Sequence, residues 1–99
     1  MLMRATWNGA ALAESDETIV VEGNQYFPIG SLSHEFVADS PEHTRCPWKD
    51  RASYFDVVVD RKVNPAAVWY YPKPPLARRI AGHVAFWRGV TVEAVGEPR

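Results

Sequence analysis

With one cysteine among 99 residues, Cys46, the chain cannot close an internal disulfide. Nor can Cys46 by itself build a zinc site of the four-cysteine or the paired cysteine and histidine kind. Stability must come from packing. Charge of one sign is also lacking: eleven Lys and Arg face twelve Asp and Glu, a formal net charge of −1. The broad positive field that non-specific nucleic-acid binding needs is absent, so no nucleic-acid partner is expected. No long apolar run is present either. Met1-Leu2-Met3-Arg4 passes straight into polar and turn residues, too short for a signal peptide or a membrane span, so a cytoplasmic protein without a membrane partner is expected. Without a repeat, a low-complexity run or a linker, the chain reads as a single domain over residues 1–99.

What is present is an ordinary globular composition, 46% hydrophobic and 23% charged. Asn8-Gly9, flanked by Arg4–Trp7 and Ala10–Ala13, suits the two positive φ angles of a type I′ turn, which predicts an opening hairpin. Thr18–Glu22 and Gln25–Phe27 read as strands about a Gly23-Asn24 turn, with Pro28 and Gly30 ending the second. Ser31–Phe36 has the length of one helical turn with Ser31 able to cap, and Phe36-Val37-Ala38 extends again. Asp39–Asp50, with Pro41 and Pro47, reads as a loop of about a dozen residues, a length at which loops tend to carry function.

Ala52–Val59 has the aromatic and β-branched content of a central strand, Asp60-Arg61-Lys62 a polar turn, and Ala66–Tyr71 a further strand stopped by Pro72, Pro74 and Pro75. Leu76–Gly82 begins after proline and ends at glycine, which predicts a short helix of about two turns lying over a sheet. His83–Trp87 and Val90–Val95 about Arg88-Gly89 predict a closing hairpin with Val90, Val92 and Ala94 on one face. Together these elements predict a mainly β, antiparallel fold with one short helix in the C-terminal third.

Chemistry concentrates in His43-Thr44-Arg45-Cys46-Pro47-Trp48-Lys49-Asp50-Arg51. A thiolate is activated by nearby cations, so Cys46 is a candidate nucleophile and His43, whose ordinary pKa lies near neutrality, a candidate base. The alternative is that Cys46 packs as a small apolar residue. Arg45, Lys49 and Arg51 offer a planar fork or a mobile point charge for an anion such as phosphate or carboxylate, or else form a solvated surface offset by Glu42 and Asp50. The spacings of His34, Glu35, His43, Cys46 and His83 match no metal-ligand pattern, so neither a metal nor a cofactor is expected. Tyr54, Trp69 and Tyr71 are candidate ring walls of a ligand site, and alternation along Trp69-Tyr70-Tyr71 sends Tyr70 to the opposite face.

Three blocks carry a resemblance: Cys46–Tyr54, Asn64–Pro74 and Ile80–Trp87. With the Asn-Gly hairpin at the start, they resemble the bacterial family catalogued as domain of unknown function 427 over nearly the whole chain. That family also carries a nucleotidyltransferase label. The resemblance implies a small β-tent-like architecture, shared with zinc-binding folds such as type B methionine sulfoxide reductases. Those relatives hold zinc through four cysteines, and with Cys46 alone that zinc is not carried over. The nucleotidyltransferase label requires a metal-holding pair of acids and a glycine-rich phosphate loop, and neither is present; Asp56 with Asp60, and Glu35 with Asp39, read as surface acids.

Two functions of different class follow. The first is a binding domain for an anionic small molecule, with or without a reaction, whose pocket lies between the Cys46 loop and the Trp69–Tyr71 strand. The second is a non-catalytic structural or interaction domain that uses an aromatic sheet face, for instance to form a homodimer.

Overall fold

The structure, a computed structural model, describes residues 1–46, 50–71 and 80–95, and the side chains of 42–46, 50 and 51 lie outside that description. Among the described residues, nine strands form two sheets with antiparallel pairing throughout. β1 (Met3–Trp7), β2 (Ala10–Ser15) and β9 (Thr91–Ala94) make the smaller sheet in the order β2-β1-β9. β3 (Ile19–Val21), β4 (Asn24–Pro28), β5 (Val37–Cys46), β6 (Asp50–Val59), β7 (Lys62–Tyr70) and β8 (His83–Phe86) make the larger, in the order β3-β4-β8-β7-β6-β5. The fold is mainly β, as the alternation and turn residues imply.

Local chemistry sets most of the turns. Asn8 and Gly9 take φ of 51° and 82°, and Trp7 pairs with Ala10 across them, as a type I′ turn requires. Asn8 Nδ2 also donates to the Val59 carbonyl at 3.2 Å, which ties the turn of the small sheet to the end of β6. The second hairpin turns one residue earlier than expected: Glu22 and Gly23 hold the positive φ values and Asn24 pairs with Val21 in β4. Asp60 and Arg61, at φ of 53° and 67°, turn β6 into β7.

Three expectations need correction or fall outside the description. Within the loop expected over Asp39–Asp50 the described residues are strand, because β5 runs to Cys46 and β6 begins at Asp50, with His43 paired to Ser53 and Cys46 to Asp50. Pro41 is accommodated because β5 is the last strand of its sheet and its register shifts between Asp39 and His43, so no ladder bond is demanded of proline there. The turn expected over Ser31–Phe36 is instead two 3₁₀ turns, Ile29–Ser31 and His34–Phe36. Ser31 donates to the Pro28 carbonyl at 2.7 Å rather than capping. The expected helix falls mainly on 72–79, outside the described residues; at its end Ile80 has 3₁₀ geometry and Gly82 a φ of 74°.

The closing hairpin is also corrected. Arg88 and Gly89 do form a tight turn, with Val90 N–H donating to the Trp87 carbonyl, but β8 joins the large sheet between β4 and β7 while β9 pairs with β1. The two strands therefore stitch the sheets together. Val90 and Val92 pack on the core as alternation predicts, and Ala94 is exposed.

The main core lies where the two sheets meet. Ala5, Leu12 and Ala13 of the small sheet cluster with Phe27, Val57, Val59, Val68, Val84 and Phe86 of the large one. Phe27 and Phe86 meet edge to face at 5.4 Å, and Phe55 stacks on Tyr70 at 4.9 Å. Strand alternation leaves the opposite face of the large sheet to a second set of side chains, Tyr26, Ala52, Tyr54, Ala66, Trp69, Tyr71, Ile80 and Ala85.

Candidate functional site

The second face of the large sheet is built of rings. Trp69 sits in β7 opposite Tyr54 of β6 on one side and Ala85 of β8 on the other, so a small residue beside it leaves room for Tyr26 and Trp87. Tyr26 meets Trp69 edge to face at 6.2 Å, and its hydroxyl accepts the Trp69 indole N–H at 3.3 Å. Trp87 meets Trp69 at 5.6 Å with an interplanar angle of 71° and stacks beside Tyr54 at 6.2 Å and 22°. The Arg88 guanidinium lies over the Trp87 ring, 4.5 Å from its centroid. Tyr26 and Tyr54 are buried, Trp69 and Tyr71 half-buried, and Trp87 is 41% exposed. The array is thus anchored beneath and open at its rim.

A bulge holds the open end in place. The β6–β7 register shifts between Phe55 and Val57, and Ala66 takes a φ of +54° while fully buried. That backbone costs roughly 1–2 kcal/mol for a residue with a Cβ. Four hydrogen bonds secure it. The Asp56 carboxylate accepts the Ala66 N–H at 2.8 Å, and the Ala66 carbonyl accepts the Trp87 indole N–H at 2.6 Å. The Pro65 carbonyl accepts from Arg88 Nη1 at 3.0 Å, and the Ala67 carbonyl accepts the Trp87 backbone N–H at 3.0 Å. Asn64 Nδ2 adds a bond to the Arg88 carbonyl at 2.7 Å.

Of the expected ring walls, Tyr54, Trp69 and Tyr71 share one cluster with Ala52 and Ala66. Tyr70 turns to the main core, as alternation predicts. Backbone positions 43, 53 and 70 form one row across β5, β6 and β7, and Thr44 pairs with Ala52, which lies in the cluster of Tyr54, Trp69 and Tyr71. Arg45 pairs with Arg51 and Cys46 with Asp50 in the same hairpin. The side chains of His43, Arg45, Cys46 and Arg51, and all of Lys49, lie outside the described residues. His34 lies in an exposed 3₁₀ turn, and the His83 Nδ1 is 3.0 Å from the Ala81 carbonyl.

Sequence reasoning missed three members of this site. Asp56 reads as a surface acid in the sequence, yet its carboxylate is committed to the Ala66 N–H. Trp87 reads as the end of a strand and Arg88 as a turn residue, yet both reach back across the sheet to the 65–67 backbone. The available signal was the pairing of Asn64-Pro65 with a nearby acid, since proline inside a strand run marks a bulge whose next N–H needs a partner. Tyr54 of the first resembling block, Trp69 of the second and Trp87 of the third are in ring contact.

The model of a family described as a domain of unknown function, DUF427, matches residues 2–97. No curated protein matches the chain.

Proposed function

The chain belongs to the DUF427 family, and from that premise we propose that it is a small-molecule-binding domain whose ligand carries an anionic group. Tyr54, Trp69 and Tyr71, with Trp87, form the wall against which the apolar or ring part of the ligand packs. Arg45, Lys49 and Arg51 hold the anion. What supports this is the continuity of β6: its Ala52 lies in the ring cluster, and its Arg51 and Asp50 pair with Arg45 and Cys46 of β5. In backbone register, positions 45 and 51 alternate with the ring-face positions 44, 52 and 54. Arg88, stacked on Trp87, is a further cation at the rim of the wall.

If a reaction accompanies binding, Cys46 is its candidate nucleophile and His43 its candidate base, at backbone positions of opposite parity in β5. The nucleotidyltransferase label draws no support from the described acids: Asp56 is engaged by the bulge and Asp60 lies in the β6–β7 turn. An interaction domain is the competing function, and the exposure of Trp87, Val20 and Val63 is what favours it.

A thermal-shift screen against nucleotides, sugar phosphates and carboxylates tests these readings. A ligand that binds only the folded state and is present at a hundred times its Kd adds about 2.7 kcal/mol. In a chain of this size each kcal/mol raises Tm by roughly 4–8 °C. The shift is expected to be lost in Lys49→Ala and in Trp69→Ala. Retention in Cys46→Ser indicates binding without thiol chemistry, and loss there puts the thiol in the site. No shift from any anion, together with a dimer by sedimentation, favours the interaction domain.

A further inference from the structure

We infer that Asp56 is the positioning residue of the aromatic wall, acting on Trp87 through the left-handed backbone of Ala66. Each link is a single contact. The Asp56 Oδ1 takes the Ala66 N–H at 2.8 Å, which stabilises a φ of +54° that a residue with a Cβ avoids. With its N–H so held, Ala66 aims its carbonyl at the Trp87 indole, whose N–H it accepts at 2.6 Å. Trp87 in turn packs against both Tyr54 and Trp69. An acid on one strand thus sets the angle of a tryptophan that follows the β8 strand.

Two features make this more than a structural bond. Ala66 is fully buried, so its carbonyl and N–H cannot exchange one partner for another without moving. The neighbouring carbonyls are taken as well, by Arg88 Nη1 on Pro65 and by the Trp87 backbone N–H on Ala67, so the bulge and the Trp87-Arg88 turn move as one unit. Freeing the Ala66 N–H lets residue 66 return toward an extended φ, which swings its carbonyl away from the indole. That ligand affinity follows the Trp87 angle rests on the anion-binding reading; that Asp56 sets the angle does not.

The experiment is ligand-free and uses the full chain, labelled with ¹⁵N. The Trp87 indole N–H signal, assigned by its disappearance in Trp87→Phe, is followed for its shift and its exchange with solvent. It is measured in Asp56→Ala, Asp56→Asn and the double variant Asp56→Ala with Ala66→Gly. Asp56→Ala is expected to move the signal and to speed its exchange at least tenfold, while the Trp7 indole signal stays in place. Asp56→Asn keeps an oxygen acceptor and is expected to restore the wild-type signal. The double variant is expected to recover part of it, because glycine takes the positive φ without help. An unchanged Trp87 signal in Asp56→Ala overturns the inference. So does a folded Asp56→Asn that loses the signal, or a double variant no better than Asp56→Ala. If Asp56→Ala does not fold, Asp56→Asn and Ala66→Gly alone decide, the first expected to match wild type and the second to keep the Trp87 bond. A Trp87 signal lost in either overturns the inference.

Discussion

At the scale of the residue, the two indoles of the aromatic face are held differently. Trp87 donates to a backbone carbonyl of a fully buried alanine at 2.6 Å, whereas Trp69 donates to the Tyr26 hydroxyl at the longer distance of 3.3 Å. Removing the first donor leaves the carbonyl of a fully buried residue without it. Trp87→Phe is therefore expected to cost about 1–3 kcal/mol, and Trp69→Phe no more than about 1 kcal/mol from its hydrogen bond. Urea unfolding of the two variants checks the order; a larger loss for Trp69→Phe contradicts the assignment of roles. This contrast was not legible in the sequence, where both residues are simply large rings in or beside β-prone runs. What was legible is the parity of Trp69, Tyr70 and Tyr71, because a strand has a period of two whatever it packs against.

At the scale of the element, β8 and β9 follow one another through a tight turn and end in different environments. β8 lies between β4 and β7, and Val84, Ala85 and Phe86 are buried. Among the described residues β9 pairs with β1 alone, and three of its four residues are exposed. Protection follows pairing and burial rather than sequence neighbourhood. Amide exchange is thus expected to be at least tenfold slower for Val84–Phe86 than for Thr91–Ala94, read by exchange-detected NMR. Equal rates would mean that the two strands open together, as a hairpin does. The sequence reading of a hairpin failed here for a physical reason: the Arg88-Gly89 turn chemistry is local, but which strand each arm pairs with depends on the surfaces that the earlier strands leave open. The same holds for β5. Proline and polar residues in 39–46 resemble a loop, and only the place of that strand at the sheet edge makes a proline-containing strand acceptable.

At the scale of the molecule, the large sheet is a shared wall. One face packs against the small sheet through Leu12, Phe27, Val57, Val68 and Val84, and the other carries the aromatic array. Phe27 is fully buried in the first and adjoins Tyr26 of the second, so damage to the core should reach the ring face. Phe27→Ala is expected to cost about 3–5 kcal/mol, a large share of the about 5–15 kcal/mol that a domain has in total. In the wild type, far-UV circular dichroism and tryptophan fluorescence are expected to report one coincident unfolding transition, and in Phe27→Ala both should move together to lower urea. A fluorescence transition that precedes the other would mark the aromatic face as a separate unit. Among the described residues no helix is long and apolar enough to cross a membrane, in keeping with a chain whose apolar residues are spread by strand alternation.

By itself the sequence determined the mainly β character, the Asn8-Gly9 turn, the central strand over Ala52–Val59 and the division of neighbouring rings between two faces. These follow from φ preferences, β-branched content and a period of two, all of which act over a few residues. The tertiary structure alone decided that β8 and β9 part, that β5 is a strand, and that Asp56, Ala66 and Trp87 form one connected unit. Those outcomes depend on which apolar surfaces are buried together and on which buried N–H and carbonyl groups must then find partners. Such demands arise between residues from ten positions apart, as Asp56 and Ala66 are, to about ninety, as Met3 and Ala94 are, well beyond the reach of a strand's period or a turn's φ preference.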